Sequence, residues 1–374
     1  MTLGIRGSGA LLRRIKALAA AMAGLSLVVA GCGGGGPAAE SGGTAEISDA
    51  QRALYEEAKG SELHFFVGNA ADDHDGLIAR FNELYPDIKV SYVGGTGNEI
   101  TERFLTEKRA GLNNVDALIM PGAFAYRQIN DEGFLADFTP EEIGAFNLEP
   151  GSFIDNRAYA FSNIFNMVCY NPNSLTEEEI ALLDTYQGWT DPRWKDRAAI
   201  INPSGFGYRF GLSYWVFDDP NLGEPWLRKL ADLNPTVYSS ANNAAPQVIA
   251  GEHDVVFNAQ QAQGARAHHD GAPYECKAAE YAPYYIWLAA VAKDAPHPAA
   301  AKLFVNWLFT EHGQQAVQDF WYYNALREGF DSPLIDAEWW KVPEDRRLTD
   351  EDMVAKNYSH LVETFNNWFG AAND

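Results

Sequence analysis

PYYIWLAAVAKDAPHPAAAKLFVNWLFTEHGQQA, residues 283–316, is the stretch on which the fold turns. Its first part, 284–292, is almost continuously apolar and rich in aromatic residues, the pattern of a strand buried on both faces in a mostly parallel sheet. Lys293 and Asp294 mark a turn. Pro298 then stands where the first position of a helix falls, and its missing N–H costs nothing there. Beyond it Ala301, Phe304, Val305 and Leu308 recur at helical spacing, while Lys302, Asn306 and Thr310 form one narrow polar stripe. These residues specify a packed strand–helix unit of a large α/β protein.

The same alternation extends toward the N-terminus. Apolar runs at 63–67, 88–93 and 115–120 predict strands, and the segments at 75–84, 99–110 and 123–130 predict helices between and after them. A β–α–β–α–β order specifies a parallel sheet with helices on its faces. A second set follows, with apolar strands at 198–202 and 255–259 and helices over 208–215 and 243–250. The chain closes on a helix over 348–369, where Val354, Tyr358, Leu361, Phe365 and Trp368 share a face. No internal repeat is visible.

Arg6, Arg13, Arg14 and Lys16 precede an apolar segment at 18–30 that is too short to span a bilayer comfortably. Residues 1–31 are therefore expected to be a signal peptide. Cys32 directly after Val29-Ala30-Gly31 resembles the bacterial lipobox, in which that cysteine becomes the acylated first residue. The Gly/Ala/Ser-rich run at 32–47 reads as a flexible tether. The formal charge of −23 repels polyanions, so nucleic acid is not an expected partner. Cys169 and Cys276 are the other two cysteines, and two alone make no framework; their pairing stays open. Roughly 330 residues remain after the tether, enough for two α/β lobes.

Taken together, FVGNAADDHDGLIARFNELYPDIKV (66–90), GTGNEITERFLTEKRAGLNNVDALI (95–119), INDEGFLADF (129–138), YAFSNIFNMVCY (159–170), AAIINPS (198–204), GEHDVVF (251–257) and the 283–316 stretch resemble the extracellular solute-binding proteins of ABC importers. The iron(III)/thiamine/phosphonate-type group is the nearest in pattern, and the resemblance covers roughly 61–327. It implies a two-lobed periplasmic-binding-protein fold of type II, each lobe a mostly parallel sheet flanked by helices. Lobe 1 would comprise 61–160 with 285–327, and lobe 2 would comprise 171–280 with 345–370. Crossover strands at 161–170 and 284–291 would join them as a hinge. The resemblance further implies a lipid-anchored monomer in the cell envelope that binds a small molecule, meets permease subunits, and has no cofactor and no catalytic role.

Ligands of open α/β sheets sit outside the carboxyl ends of the strands. First-lobe candidates are therefore Gly68, Asn69 and Ala70, then Gly95 and Thr96, then Gly122 and Ala123. In the second lobe Ser204, Gly205 and Phe206 form a Ser/Gly nest at a strand-to-helix turn, and Ser240 repeats the device. Iron-binding members of the resembled family place a tyrosine pair where this chain has Gln260 and Gln261, and a histidine near Ala70. Amides and a methyl group do not replace phenolate and imidazole on ferric iron. No metal ligands are assigned, and Asn258, Gln260 and Gln261 suit a neutral or zwitterionic organic solute such as a phosphonate or polyamine. Tyr159, Phe206, Tyr285, Trp287, Trp321, Tyr322 and Tyr323 fall near the expected cleft edges. Tyr284 and Tyr285, being neighbours on a strand, point to opposite faces, so at most one meets the cleft. No G-x-S-x-G, H-E-x-x-H, Walker A or dinucleotide fingerprint is present. A ferric-binding protein with non-standard ligands and a secreted hydrolase working through two carboxylates stay as alternatives.

Overall fold

The computed structural model describes residues 47–69, 72–330 and 335–372. The expected signal peptide, Cys32, the tether up to residue 46 and Ala70 lie outside the described residues. The first βα units run α1 (Asp49–Ala58), β1 (Glu62–Val67), α2 (His74–Leu84), β2 (Lys89–Gly94), α3 (Gly97–Arg109), β3 (Ala117–Pro121) and α4 (Ala123–Asp131). Next come β4 (Phe153–Ile154), the long β5 (Ala158–Tyr170), α5 (Glu177–Leu182), β6 (Ala198–Ile201), α6 (Tyr208–Ser213), α7 (Gly223–Asp232), β7 (Thr236–Tyr238), α8 (Ala241–Ile249), β8 (Val255–Gln260) and α9 (Gln261–His269). The chain finishes with β9 (Glu275–Lys277), β10 (Ala282–Val291), α10 (Pro298–Leu308), α11 (Glu311–Trp321), β11 (Asn324–Ala325), β12 (Arg346–Leu348) and α12 (Glu351–Phe369).

The principal strands lie in the order β2-β1-β3-β10-β5-β8-β6-β7. β1 is parallel to β2 and β3, and β6 is parallel to β7 and β8. The first is the parallel group that the βα alternation specifies, and the second is the one that the family resemblance implies. β5 belongs to both, pairing through Ala158–Phe165 with β10 and through Asn166–Tyr170 with β8. The expectation for 284–292 needs one correction. β10 is buried along its whole length, but it runs antiparallel to both β3 and β5. A continuous apolar run reports burial of both faces and carries no information on direction.

Alternation along the strands distributes the core. Leu63, Phe65 and Val67 face α2, α10 and α11, where Phe81, Phe304, Trp307 and Trp321 pack. Phe66 faces the other way, with Phe104, Leu105, Tyr126 and Ile129 of α3 and α4. A separate cluster around Trp189, Trp215 and Trp226 covers the far face of the second group. α10 begins at Pro298, and its apolar stripe is fully buried, as the spacing predicts. α6 passes into a π-helical turn at Tyr214–Asp218, and α12 lies against α6 and α7. Cys169 and Cys276, left open by the sequence, face each other across β5 and β9 and are disulfide-bonded.

Candidate functional site

At the carboxyl ends of β1 and β3 on one side, and around α6, β8 and α9 on the other, lies a cavity of about 300 Å³. The loop after β1 contributes Gly68, Asn69 and Asp72 to its lining, and the loop before α3 contributes Gly95 and Thr96. Phe206, Gly207 and Tyr208 come from the turn into α6, Gln260, Gln263 and Arg266 from β8 and α9, and Tyr285 and Trp287 from β10.

Local structure fixes each of these. Thr96 caps α3, its hydroxyl accepting from the Glu99 N–H at 3.3 Å while Glu99 accepts from the Thr96 N–H at 2.9 Å. Asp73, not Asp72, caps α2, taking the Gly76 N–H at 2.8 Å. Asp72 is thereby left to turn inward. Its carboxylate accepts from Asn69 Nδ2 at 2.7 Å, from the Tyr323 hydroxyl, and from Arg266 Nη2 at 3.3 Å. Burial raises the Asp72 pKa, with the Tyr323 hydrogen bond and the Arg266 charge working against that rise. His74 Nε2 donates to the Asn69 carbonyl at 2.8 Å and holds this loop in place.

The opposite wall is aromatic. Tyr285 stacks on Phe210 at 4.8 Å and its hydroxyl accepts from Gln260 Nε2 at 3.1 Å. Trp287 packs on Tyr323 at 5.1 Å. Burial lifts the phenols of Tyr285 and Tyr323 far above the usual range, and Tyr208 is pushed up to about 12 by the same cause. All three are neutral phenols near pH 7. Trp287 Nε1 lies buried near the Tyr285 hydroxyl without a partner of good hydrogen-bond geometry, and Gln263 Oε1 is likewise buried without a partner. Gly207 is the close-approach residue: a Cβ there would overlap the Gln260 amide and the Tyr285 hydroxyl.

Of the residues expected from sequence, Gly68, Asn69, Gly95, Thr96, Phe206, Gln260 and Tyr285, with Trp287 and Tyr323 of the expected cleft-edge aromatics, come together around this cavity. Tyr284 packs on the other face of β10, against Phe165 at 5.5 Å. The remaining candidates stand elsewhere. The N-terminus of α4, after Gly122, is taken by the chain itself: Glu351 accepts the N–H groups of Ala123 at 2.6 Å and Phe124 at 2.5 Å. Ser204 forms a turn on Asn202, and its carbonyl accepts from Arg209 and Tyr358; Gly205 packs on the Tyr208 ring. Ser240 caps α8. Tyr159 is in the core with its hydroxyl on Thr139. Asn258 is fully buried with φ 58° and gives its amide to the carbonyls of Ile201 and Tyr208. Gln261 turns inward, bridging the Trp340 carbonyl and Asn324.

Asp72, Tyr208, Asn242, Gln263 and Arg266 line the cavity without having been singled out. One signal was available for two of them, because Gln263 and Arg266 lie three residues apart on the helix that begins directly after Gln260. Asp72 gave none, since acidic residues just before a helix satisfy its dipole equally well.

Two parallel groups of strands meeting around one cavity define a two-lobed binding fold of the type II periplasmic class. By sequence profile, residues 69–315 match the bacterial extracellular solute-binding proteins, and the chain belongs to that family. Solved structures agree on the fold. Iron-bound HitA from Pseudomonas aeruginosa superposes with a TM-score of 0.66 at 19% identity, over 81% of this chain and 99% of that one. The substrate-binding protein of an ABC transporter from Agrobacterium tumefaciens gives 0.65 at 17% identity, over 83% and 96%. AfuA from Actinobacillus pleuropneumoniae, with fructose-6-phosphate bound, gives 0.63 at 18% identity, over 83% and 99%. No curated protein matches by sequence. No helix among the described residues is long and apolar enough to cross a membrane.

Proposed function

We propose that this protein is the solute-capturing receptor of an ABC importer and takes a small organic solute, a phosphonate, a polyamine or a small zwitterion, into the cavity at Asp72, Gln260 and Tyr285. One observation carries the reading: residues after β1 and residues of β8 and α9 converge on the same polar, aromatic-walled cavity at strand carboxyl ends. The lobes are 61–160 with 285–327 and 171–280 with 345–370, and they close on the solute by bending at 161–170 and 284–291. An acylated Cys32 and the tether hold the receptor at the envelope surface within reach of its permease. The solute leaves chemically unchanged.

Ferric ion is the second reading, because Asp72, Tyr208, Tyr285 and Tyr323 bring oxygen donors to the cavity. It is the weaker one. The phenols are held neutral by burial, Gln260 occupies the Tyr285 hydroxyl, and Gln261 faces away. Thermal unfolding against organic solutes and ferric citrate separates the two. A solute at a hundred times its Kd stabilises by about 2.7 kcal/mol and raises Tm by several degrees. Stabilisation by ferric citrate alone, with a phenolate-to-iron absorption band, would overturn the organic reading. Small-angle scattering that shows no compaction with a verified ligand would overturn the closure.

A further inference from the structure

Resting on that reading of the cavity, we infer that the solute is a net-neutral zwitterion, its cationic end held by Asp72 after β1 and its acidic end by Arg266 on α9. Among the described residues lining the cavity, Asp72 and Arg266 are the charged ones, one of each sign. Tyr208, Tyr285 and Tyr323 add no charge, because burial keeps their protons on. Burial raises the Asp72 pKa, and three donors converging on its carboxylate, from Asn69, Tyr323 and Arg266, work against that rise and stabilise the ionised form. With Asp72 ionised, the described lining sums to zero formal charge.

That balance selects among the solute classes. A polyamine would gain Asp72 but bring its own positive charge against Arg266. A phosphonate dianion would gain Arg266 and meet the Asp72 carboxylate. Burying either leaves charge without a counterpart, which is strongly unfavourable in a site closed from water. A zwitterion offers each residue the partner it loses when their own contact opens. That contact is a single Nη2 to Oδ1 approach at 3.3 Å, with the Arg266 side chain 37% exposed and its guanidinium over the Tyr322 ring at 5.3 Å. Such a pair can be exchanged for a solute. The two groups come from opposite sides of the cavity, so a zwitterion bridging them also links the two sides. Gln263 Oε1, buried and without a hydrogen-bond partner, supplies one further acceptor in the cavity lining.

The test is a thermal-shift array on the full chain at pH 7, binned by charge. Glycine betaine, γ-aminobutyrate and other zwitterions form one bin, putrescine and spermidine a second, methylphosphonate and citrate a third, and uncharged sugars a fourth. The strongest stabilisation is expected in the zwitterion bin. A leading solute from any other bin overturns this inference and leaves the receptor reading standing, whereas silence in every bin overturns both. For the leading zwitterion, Asp72→Asn and Arg266→Gln each lower affinity about 10–100-fold, the worth of a charge-assisted hydrogen bond. The decisive readout is a change in preference. An analogue without the amine should bind Asp72→Asn better than wild type, and an analogue without the acid should bind Arg266→Gln better than wild type. Equal loss for both analogues in both variants would show a merely structural role and overturn the assignment.

Discussion

Opening the Cys169–Cys276 disulfide, by reduction or by the paired substitution Cys169→Ser with Cys276→Ser, removes the constraint on a loop whose ends are 107 residues apart. Loop-closure entropy for that separation amounts to about 4.8 kcal/mol at 25 °C, and measured disulfides deliver about 2–5 kcal/mol. Unfolding entropy near 2.1 cal/mol/K per residue, over about 330 ordered residues, converts this into a Tm fall of about 3–7 °C. The site should register the change as well. Gly264 of α9 rests directly on the Cys276 sulfur, so close that a Cβ there would overlap it, and the same helix carries Gln263 and Arg266 to the cavity. Differential scanning calorimetry of oxidised and reduced protein, with free thiols counted, measures the first effect. Titration of a verified solute measures the second, expected as a severalfold loss of affinity. A Tm shift below about 1 °C with both thiols free would refute the reasoning, because it corresponds to well under the roughly 2 kcal/mol that removal of a native disulfide typically costs.

Two further outcomes are expected. Gly207→Ala places a methyl group on the Gln260 amide and the Tyr285 hydroxyl, and Tyr285, stacked on Phe210 at 4.8 Å, has little room to retreat. Overpacking of this kind costs about 1–3 kcal/mol, and solute affinity should fall at least about tenfold; unchanged affinity by titration calorimetry would remove the cavity from consideration as the solute site. Glu179 has its pKa lowered from 4.5 to about 2, first by the Thr176 backbone N–H and then by Arg197. Its contribution to stability is present above 4.5 and is lost as the pH falls through 2, so Glu179→Gln should flatten the acid limb of the stability curve between those values. Superimposable limbs for variant and wild type in acid titrations would show that the pair contributes nothing.

The Glu351 contact explains why an accurate local reading can still misplace a site. Gly122 and Ala123 do end a parallel strand and begin a helix, which is where an anion is ordinarily received. The anion is a carboxylate from 228 residues further along the chain. Nothing near residue 122 reports it. Asn258 and Gln261 behave alike: their amides suit a polar solute by type, yet they complete backbone carbonyls that long-range packing brings to them.

Sequence by itself determined the elements, because the periods of 2 and 3.6 and the turn residues act over a few positions at a time. The alternation of strands and helices, the first parallel group, the Pro298 helix start and the opposite facing of Tyr284 and Tyr285 all follow from such local rules. So does the place of Gly68, Asn69, Thr96 and Gln260 in the cavity lining, since they stand at the carboxyl ends of parallel strands or in the turns beyond them. Tertiary structure alone decided the antiparallel course of β10, the pairing of Cys169 with Cys276, and the meeting of Asp72 with Arg266 across 194 residues. Each is a contact between groups whose separation along the chain carries no periodic signal. Partners of that kind are chosen by sheet register and by which polar groups the packing leaves unsatisfied, and those exist only once the chain has folded.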